Sequence, residues 1–234
     1  MINTNTVLAD SHDSLYFFSE ENTLEKLPRA IQNDQPEVLT HIYQEMINIA
    51  VWQRELSLSL KNSIDSFIKD NPVYQVAMTV APQNVIANLN QTISSSEQSE
   101  LIENIAELVD MFCCLFELRH AGLRLTVLNN AMCPKFHVDR VPCRLVSTYR
   151  GMATQWLPDH IIDRTKLGAG SNGNPDHESG LYLNEKNIQK LEAGDVALLK
   201  GELWENNENA GLVHRSPILP IGESRLLLTL DFIN

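Results

Sequence analysis

The stretch that decides the fold reads Cys133-Pro134-Lys135-Phe136-His137-Val138-Asp139. On a β-strand, residues two apart point to the same face. His137 and Asp139 therefore aim an imidazole and a carboxylate at one point, while Val138 faces the other way. A second histidine from elsewhere would complete a set of two imidazoles and one carboxylate. Such a set occupies one face of an octahedral metal and leaves three positions open. A lone His-x-Asp arises by chance in many proteins, where it is a surface histidine beside a solvated aspartate, so the flanking sequence has to decide.

Downstream, Gly194-Asp195-Val196-Ala197-Leu198-Leu199 is a turn entering an apolar strand, and Leu212-Val213-His214 places a lone histidine at the start of a late strand. Arg225 follows across Pro217, Pro220 and Gly222, a reversal. Antiparallel pairing of the two segments would bring Arg225 back beside the metal, where a guanidinium can grip a carboxylate in a bidentate fork. Between the two halves of the motif, Arg144-Leu145-Val146-Ser147-Thr148-Tyr149, Gly151 and Thr154-Gln155-Trp156 supply a strand and a turn able to wall a pocket with an aromatic ring. Trp156 is the candidate substrate-facing aromatic, with burial in the barrel wall as the competing reading.

In order and spacing, His137-x-Asp139, Gly194-Asp195, His214 and Arg225 resemble the Fe(II)/2-oxoglutarate-dependent oxygenase superfamily. Residues 144–156 look like the second core strand and following turn of its prolyl-hydroxylase-type members. More narrowly, residues 133–149 resemble a bacterial domain-of-unknown-function family that carries the same Cys-Pro-x-Phe-His-Val-Asp and Arg-Leu-Val-x-Thr-Tyr signature. The superfamily resemblance spans about residues 123–232. It implies a double-stranded β-helix, the jelly-roll or cupin-like barrel, with Fe(II) on His137, Asp139 and His214. It also implies 2-oxoglutarate as cosubstrate, its keto-acid end on the metal and its far carboxylate on Arg225. Arg144 and Tyr149 are further candidates to contact the cosubstrate. Many members carry Ser or Thr two residues after that arginine, and here Leu227 stands there. The activity implied is that of a hydroxylase-type dioxygenase.

The N-terminal part reads differently. Residues 1–22 are a polar tail around Leu15, Tyr16, Phe17 and Phe18. From residue 23 to about 71 the pattern is mostly helical: Pro36 starts a run in which Val38, Leu39, Ile42, Met46 and Ile49 recur at helical spacing. Residues 55–60 alternate in a way that fits either strand or helix. Residues 74–80 read as a strand. Ser94 and Glu97 form a capping-box signature ahead of an apolar stripe from Leu101 to Phe116, so a core-packing helix should run to about His120 and stop at Gly122. Residues 168–180, with four glycines among Ser, Asn, Asp and Pro, form a loop. The expected architecture is α+β: a tail at 1–22, a mainly helical part at 23–122, and a double-stranded β-helix metal-binding domain at 123–234 on which the helical half packs.

A formal charge of −12 and the lack of any Lys/Arg run argue against nucleic acid and anionic membranes as partners. No segment reads as a signal peptide or a membrane span. Four cysteines, two of them adjacent, suit a reduced cytoplasmic protein. The substrate is a small molecule or a peptide side chain; the sequence does not choose, and oligomeric state is open. Two rival functions use the same residues. One is a cupin-like enzyme such as an isomerase, which needs no Arg225. The other is a zinc- or iron-binding or sensing module, with Cys133, His137 and Cys143 as an alternative zinc set.

Overall fold

The computed structural model describes residues 29–93 and 98–233. Among these, ten strands form two facing sheets: β1 (Arg29–Asn33), β2 (Ile47–Trp52), β3 (Gln75–Val80), β4 (Ala121–Leu128), β5 (Cys143–Arg150), β6 (Gln155–Trp156), β7 (Gln189–Lys190), β8 (Val196–Lys200), β9 (His214–Arg215) and β10 (Arg225–Asp231). The larger sheet runs β1-β2-β8-β5-β10-β4-β3, antiparallel except where β1 lies parallel to β2. The smaller runs β7-β6-β9, and the isolated pairing of His137 with His214 brings the metal-motif segment alongside it.

Strand alternation assigns the two faces of the large sheet. In β10, Leu226, Leu228 and Leu230 are fully buried against a helical layer, whereas Arg225, Leu227, Thr229 and Asp231 face the small sheet. In β5, Cys143, Leu145 and Tyr149 join the helical side, and Arg144, Val146 and Thr148 take the other. A second apolar cluster fills the space between the sheets, with Ile49, Val51, Val146, Ala197, Leu199 and Leu227 meeting Trp156, Leu191 and Leu212. The result is a jelly-roll sandwich backed on one side by helices.

That backing consists of α1 (Leu58–Asp70), α2 (Val85–Thr92) and α3 (Ser99–Leu115). Ser57 resolves the ambiguous alternation at 55–60: its hydroxyl accepts from the Leu60 N–H at 3.0 Å and starts α1 there. In α3, Leu101, Ile105, Leu108 and Phe112 recur on one buried face, as expected. The helix ends earlier than its apolar stripe, at Leu115, with Glu117 in the left-handed region at φ 54°; Gly122 already belongs to β4.

The N-terminal half is not helical throughout. Pro36–Tyr43 forms a 3-10 helix that buries Val38, Leu39 and Ile42, but Ile49 lies in β2 and Met46 in the turn before it. The β-branched run Ile47, Ile49 and Val51 finds strands on both sides, and that pairing outweighs a helical periodicity continued from Pro36. β1, β2 and β3 are therefore part of the large sheet. Ser94, Glu97 and the tail at 1–22 lie outside the described residues. Among the described residues, no helix is long and apolar enough to cross a membrane.

Candidate metal centre and anion pocket

His137, Asp139 and His214 converge. One donor atom from each lies within 4.8 Å of the other two. Asp139 sits between the imidazoles: its Oδ1 is 3.6 Å from His137 Nε2 and its Oδ2 is 3.4 Å from His214 Nε2. Each Nδ1 is occupied by the backbone two residues earlier, His137 with the Lys135 carbonyl at 2.9 Å and His214 with the Leu212 carbonyl at 3.2 Å. An Nδ1–H held in this way leaves the Nε2 lone pair free and pointed at the common centre, the usual outer support of a metal-binding histidine. The register is set by reciprocal backbone bonds between His137 and His214, at 3.0 and 2.9 Å.

Arg144 holds the carboxylate in place. Its Nη1 donates to Asp139 Oδ2 at 2.6 Å, while Nε and Nη2 grip Asp231 at 2.7 and 3.0 Å. Burial pushes the Asp139 carboxyl up, but the adjoining imidazoles of His137 and His214 and the Arg144 charge outweigh it and hold the group well below the ordinary carboxylate range. The same contact with Asp139 raises His137, against the opposing effect of burial. The centre is thus an anionic carboxylate between two imidazoles with open Nε2 atoms, a donor set that fits a divalent metal of the Fe(II) or Zn(II) class.

Arg225 lies in the same pocket and is 1% exposed. All of its hydrogen bonds go to neutral hydroxyls: Nε and Nη2 to Thr148 at 3.2 and 2.8 Å, Nη2 also to Thr154 at 2.7 Å, and Nη1 to Ser216 at 3.0 Å. No carboxylate among the described residues pairs with it. Burial alone lowers its pKa to about 10. A buried cation without a counter-charge is costly, and among the described residues only these three hydroxyls compensate it. Arg225 reaches the pocket from the large sheet and His214 from the small one; the two strands do not pair but face each other, with Ser216 bridging.

The other expected site residues divide. Arg144 lines the pocket, but its guanidinium is committed to Asp139 and Asp231. Tyr149 is on the helical face of β5, where its hydroxyl bonds Asn104 at 3.0 Å, so the fold does not bring it to the metal. Trp156 packs in the layer between the sheets and does not line this pocket. Cys143 is fully buried on the helical side, away from the imidazoles, so no zinc set forms from Cys133, His137 and Cys143.

Several residues carry the site without having been expected there. Thr148, Thr154 and Ser216 hold Arg225, and Asp231 shares Arg144. Asp176 anchors the glycine-rich loop to the site by accepting from the Phe136 N–H at 3.0 Å and from Arg215 Nη1 at 3.1 Å. Period-two reading of Arg225-x-Leu227-x-Thr229-x-Asp231 would have found Asp231. A single aspartate in a loop offers no such signal.

A family model described as "Protein of unknown function (DUF1826)" matches residues 33–231. The chain belongs to that family. No curated protein sequence matches it. Among solved structures, the dioxygenase for auxin oxidation of rice aligns with a TM-score of 0.50 at 11% identity, covering 88% of this chain and 83% of that one. Dioxygenase for auxin oxidation 1 from Arabidopsis thaliana, in its 2-oxoglutarate complex, aligns with a TM-score of 0.49 at 12% identity, covering 89% and 92%. This DUF1826 member therefore shares the fold of the rice dioxygenase and carries a His-x-Asp…His triad in it.

Proposed function

We propose that this chain is an Fe(II)- and 2-oxoglutarate-dependent oxygenase of the hydroxylase type. His137, Asp139 and His214 would hold the metal through Nε2, a carboxylate oxygen and Nε2. Arg225 would hold the far carboxylate of 2-oxoglutarate. The observation that carries this reading is the buried Arg225 guanidinium, which shares the pocket of the triad and is surrounded by hydroxyls instead of acids. A metal-binding cupin-like protein or isomerase does not need such a group for its metal.

Bound Fe(II) and 2-oxoglutarate would supply O2-dependent oxidation of a C–H bond, with release of succinate and CO2. The chain's own residues do the rest. Backbone carbonyls at Lys135 and Leu212 fix the ring orientations. Arg144 keeps Asp139 ionised and aimed. Thr148, Thr154 and Ser216 fix the Arg225 guanidinium and leave one Nη1–H for an incoming carboxylate oxygen. Leu227, in place of the Ser or Thr found in many superfamily members, offers no hydroxyl, and Thr148 on the neighbouring strand supplies one.

Anaerobic titration of the purified protein with Fe(II) and then 2-oxoglutarate tests the proposal. A visible metal-to-ligand charge-transfer band is expected, absent in Arg225→Gln although Fe(II) still binds. Metal binding without a band in the natural protein would return the chain to the metal-binding, non-oxygenase reading.

A further inference from the structure

The large sheet ends in two edge strands, β1 and β3, and they are built differently. A bare edge offers a row of unpaired backbone groups to any other strand, and proteins usually blunt it with charge, proline or a bulge. β1 carries Arg29 and a register break between Arg29 and Ala30. β3, Gln75-Val76-Ala77-Met78-Thr79-Val80, has no charge and no proline, and its register against β4 is continuous. Its surroundings share that character: residues 71–96 contain no Asp, Glu, Lys or Arg, although these make up 21% of the chain.

The ladder fixes which backbone groups β3 leaves open. The Val127 N–H donates to the Tyr74 carbonyl at 2.8 Å, and the register runs on from Gln75 opposite Thr126 to Val80 opposite Ala121. Antiparallel pairs alternate between hydrogen-bonded and non-hydrogen-bonded. Val76, Met78 and Val80 therefore direct their N–H and C=O groups at β4, and Gln75, Ala77 and Thr79 turn theirs outward. These last three residues are exposed, and none of their backbone groups has a partner among the described residues. Near the edge, Val73 just before β3 and Ile86 on α2 are 82% and 47% exposed.

We propose that β3 is the docking edge for a second copy of this chain, pairing antiparallel with the partner's β3 about a two-fold axis at Ala77. Ala77 would lie opposite the partner's Ala77, and Gln75 and Thr79 opposite the partner's Thr79 and Gln75. In that register every outward N–H and C=O meets its complement, as a self-complementary two-fold interface requires. On the helical face Val76 would meet the partner's Met78. Both side chains already pack on the core, so the apolar row would run on across the joint. Charge selects a second copy over other partners. At −12 per chain, two copies repel wherever their acidic surfaces meet, and the uncharged stretch around β3 is where they can approach. Depletion of charge also marks the centre of protein interfaces. A strongly acidic or basic partner would find no counter-charge there. The pairing uses no metal ligand and does not depend on the oxygenase reading.

Light scattering after size exclusion, with hydrogen–deuterium exchange on the same samples, tests this on the full chain. The natural protein should show twice the single-chain mass, with the Gln75, Ala77 and Thr79 amides protected. Dilution until the mass halves should release those three amides, while Val76 and Met78 stay protected by β4. Ala77→Glu and Ala77→Lys should each be monomeric, because like charges would then stand face to face, and an equimolar mixture of the two should recover the dimer. A monomeric natural protein would overturn the proposal. So would a dimer whose three amides exchange freely, a dimer that survives Ala77→Glu, or a mixture that stays monomeric, since the contact would then lie elsewhere. A monomer in which the three amides are nevertheless protected would put another segment of the chain on the edge and overturn it too. If either variant fails to fold, as circular dichroism would show, the dilution series on the natural protein decides alone.

Discussion

Two guanidiniums in one pocket show how partners, not residue type, assign a role. Arg225 has only hydroxyls around it and so is available to an incoming anion. Arg144 is saturated by two carboxylates, one of which is the Asp139 that faces the metal centre. Arg144 is therefore a positioning residue. Arg144→Met should lower metal affinity ~10–100-fold, the usual cost of losing an outer-shell partner, while the folded protein still binds metal at higher concentration. Arg144→Lys should recover little of it, because a point charge cannot span Asp139 and Asp231 together. Competition against a chromophoric chelator measures both. Unchanged affinity in Arg144→Met would mean that Asp139 needs no support from it. At this scale the sequence was partly legible. His137 and Asp139 are two apart, so period two alone aims them together. Thr148 and Asp231 obey the same period, but neither shows its arginine partner until the neighbouring strands are known. Tyr149 lands on the helical side because β5 resumes a fresh register at Cys143, past the break at Pro142.

At the scale of elements, the segment carrying Asp139 is clamped by the end of β8. The Gly201 N–H donates to the Pro142 carbonyl at 2.9 Å and the Glu202 N–H to the Asp139 carbonyl at 2.9 Å. A Cβ on Gly201 would stand 2.1 Å from the Val141 carbonyl oxygen and 2.6 Å from that of Asp139, both backbone atoms that cannot swing aside. Gly201→Ala should cost roughly 1–3 kcal/mol of stability through overpacking, and it should also weaken metal binding by displacing Asp139. Phe112→Ala separates the two effects. It opens a cavity in the helical layer and should cost more, about 3–5 kcal/mol, yet leave metal affinity in the folded protein unaltered. Urea unfolding and metal titration on both variants check this; normal metal affinity in Gly201→Ala would rule out the clamp. The elements themselves were readable where one face dominates, as in α3 and β10. They were misread at 36–49, where the helical spacing of Val38, Leu39 and Ile42 extends by coincidence onto Ile49. Only the strands that flank β2, from distant parts of the chain, decide that segment.

Across the whole molecule, the ligands called for by the site would join the two sheets. The triad is presented at the small sheet by the His137 segment and β9, whereas Arg225 rises from the large one. A metal holding 2-oxoglutarate between them would couple the halves of the sandwich, and only the native state has that arrangement. Binding must then appear as stability. At metal concentrations ~100 times Kd the natural protein should gain about 2.7 kcal/mol, a rise of roughly 5–10 °C in Tm for a chain of this size, reversed by chelator. His214→Ala should lose that rise. The 2-oxoglutarate increment is the more telling one, since it needs both sheets at once. It should appear on top of the metal effect in the natural protein, vanish in His214→Ala because the metal end is gone, and vanish in Arg225→Gln although the metal rise remains. An increment that persists in Arg225→Gln would show that 2-oxoglutarate is held from the small sheet alone, and the sandwich would then be a scaffold for the metal without being a clamp on its cosubstrate.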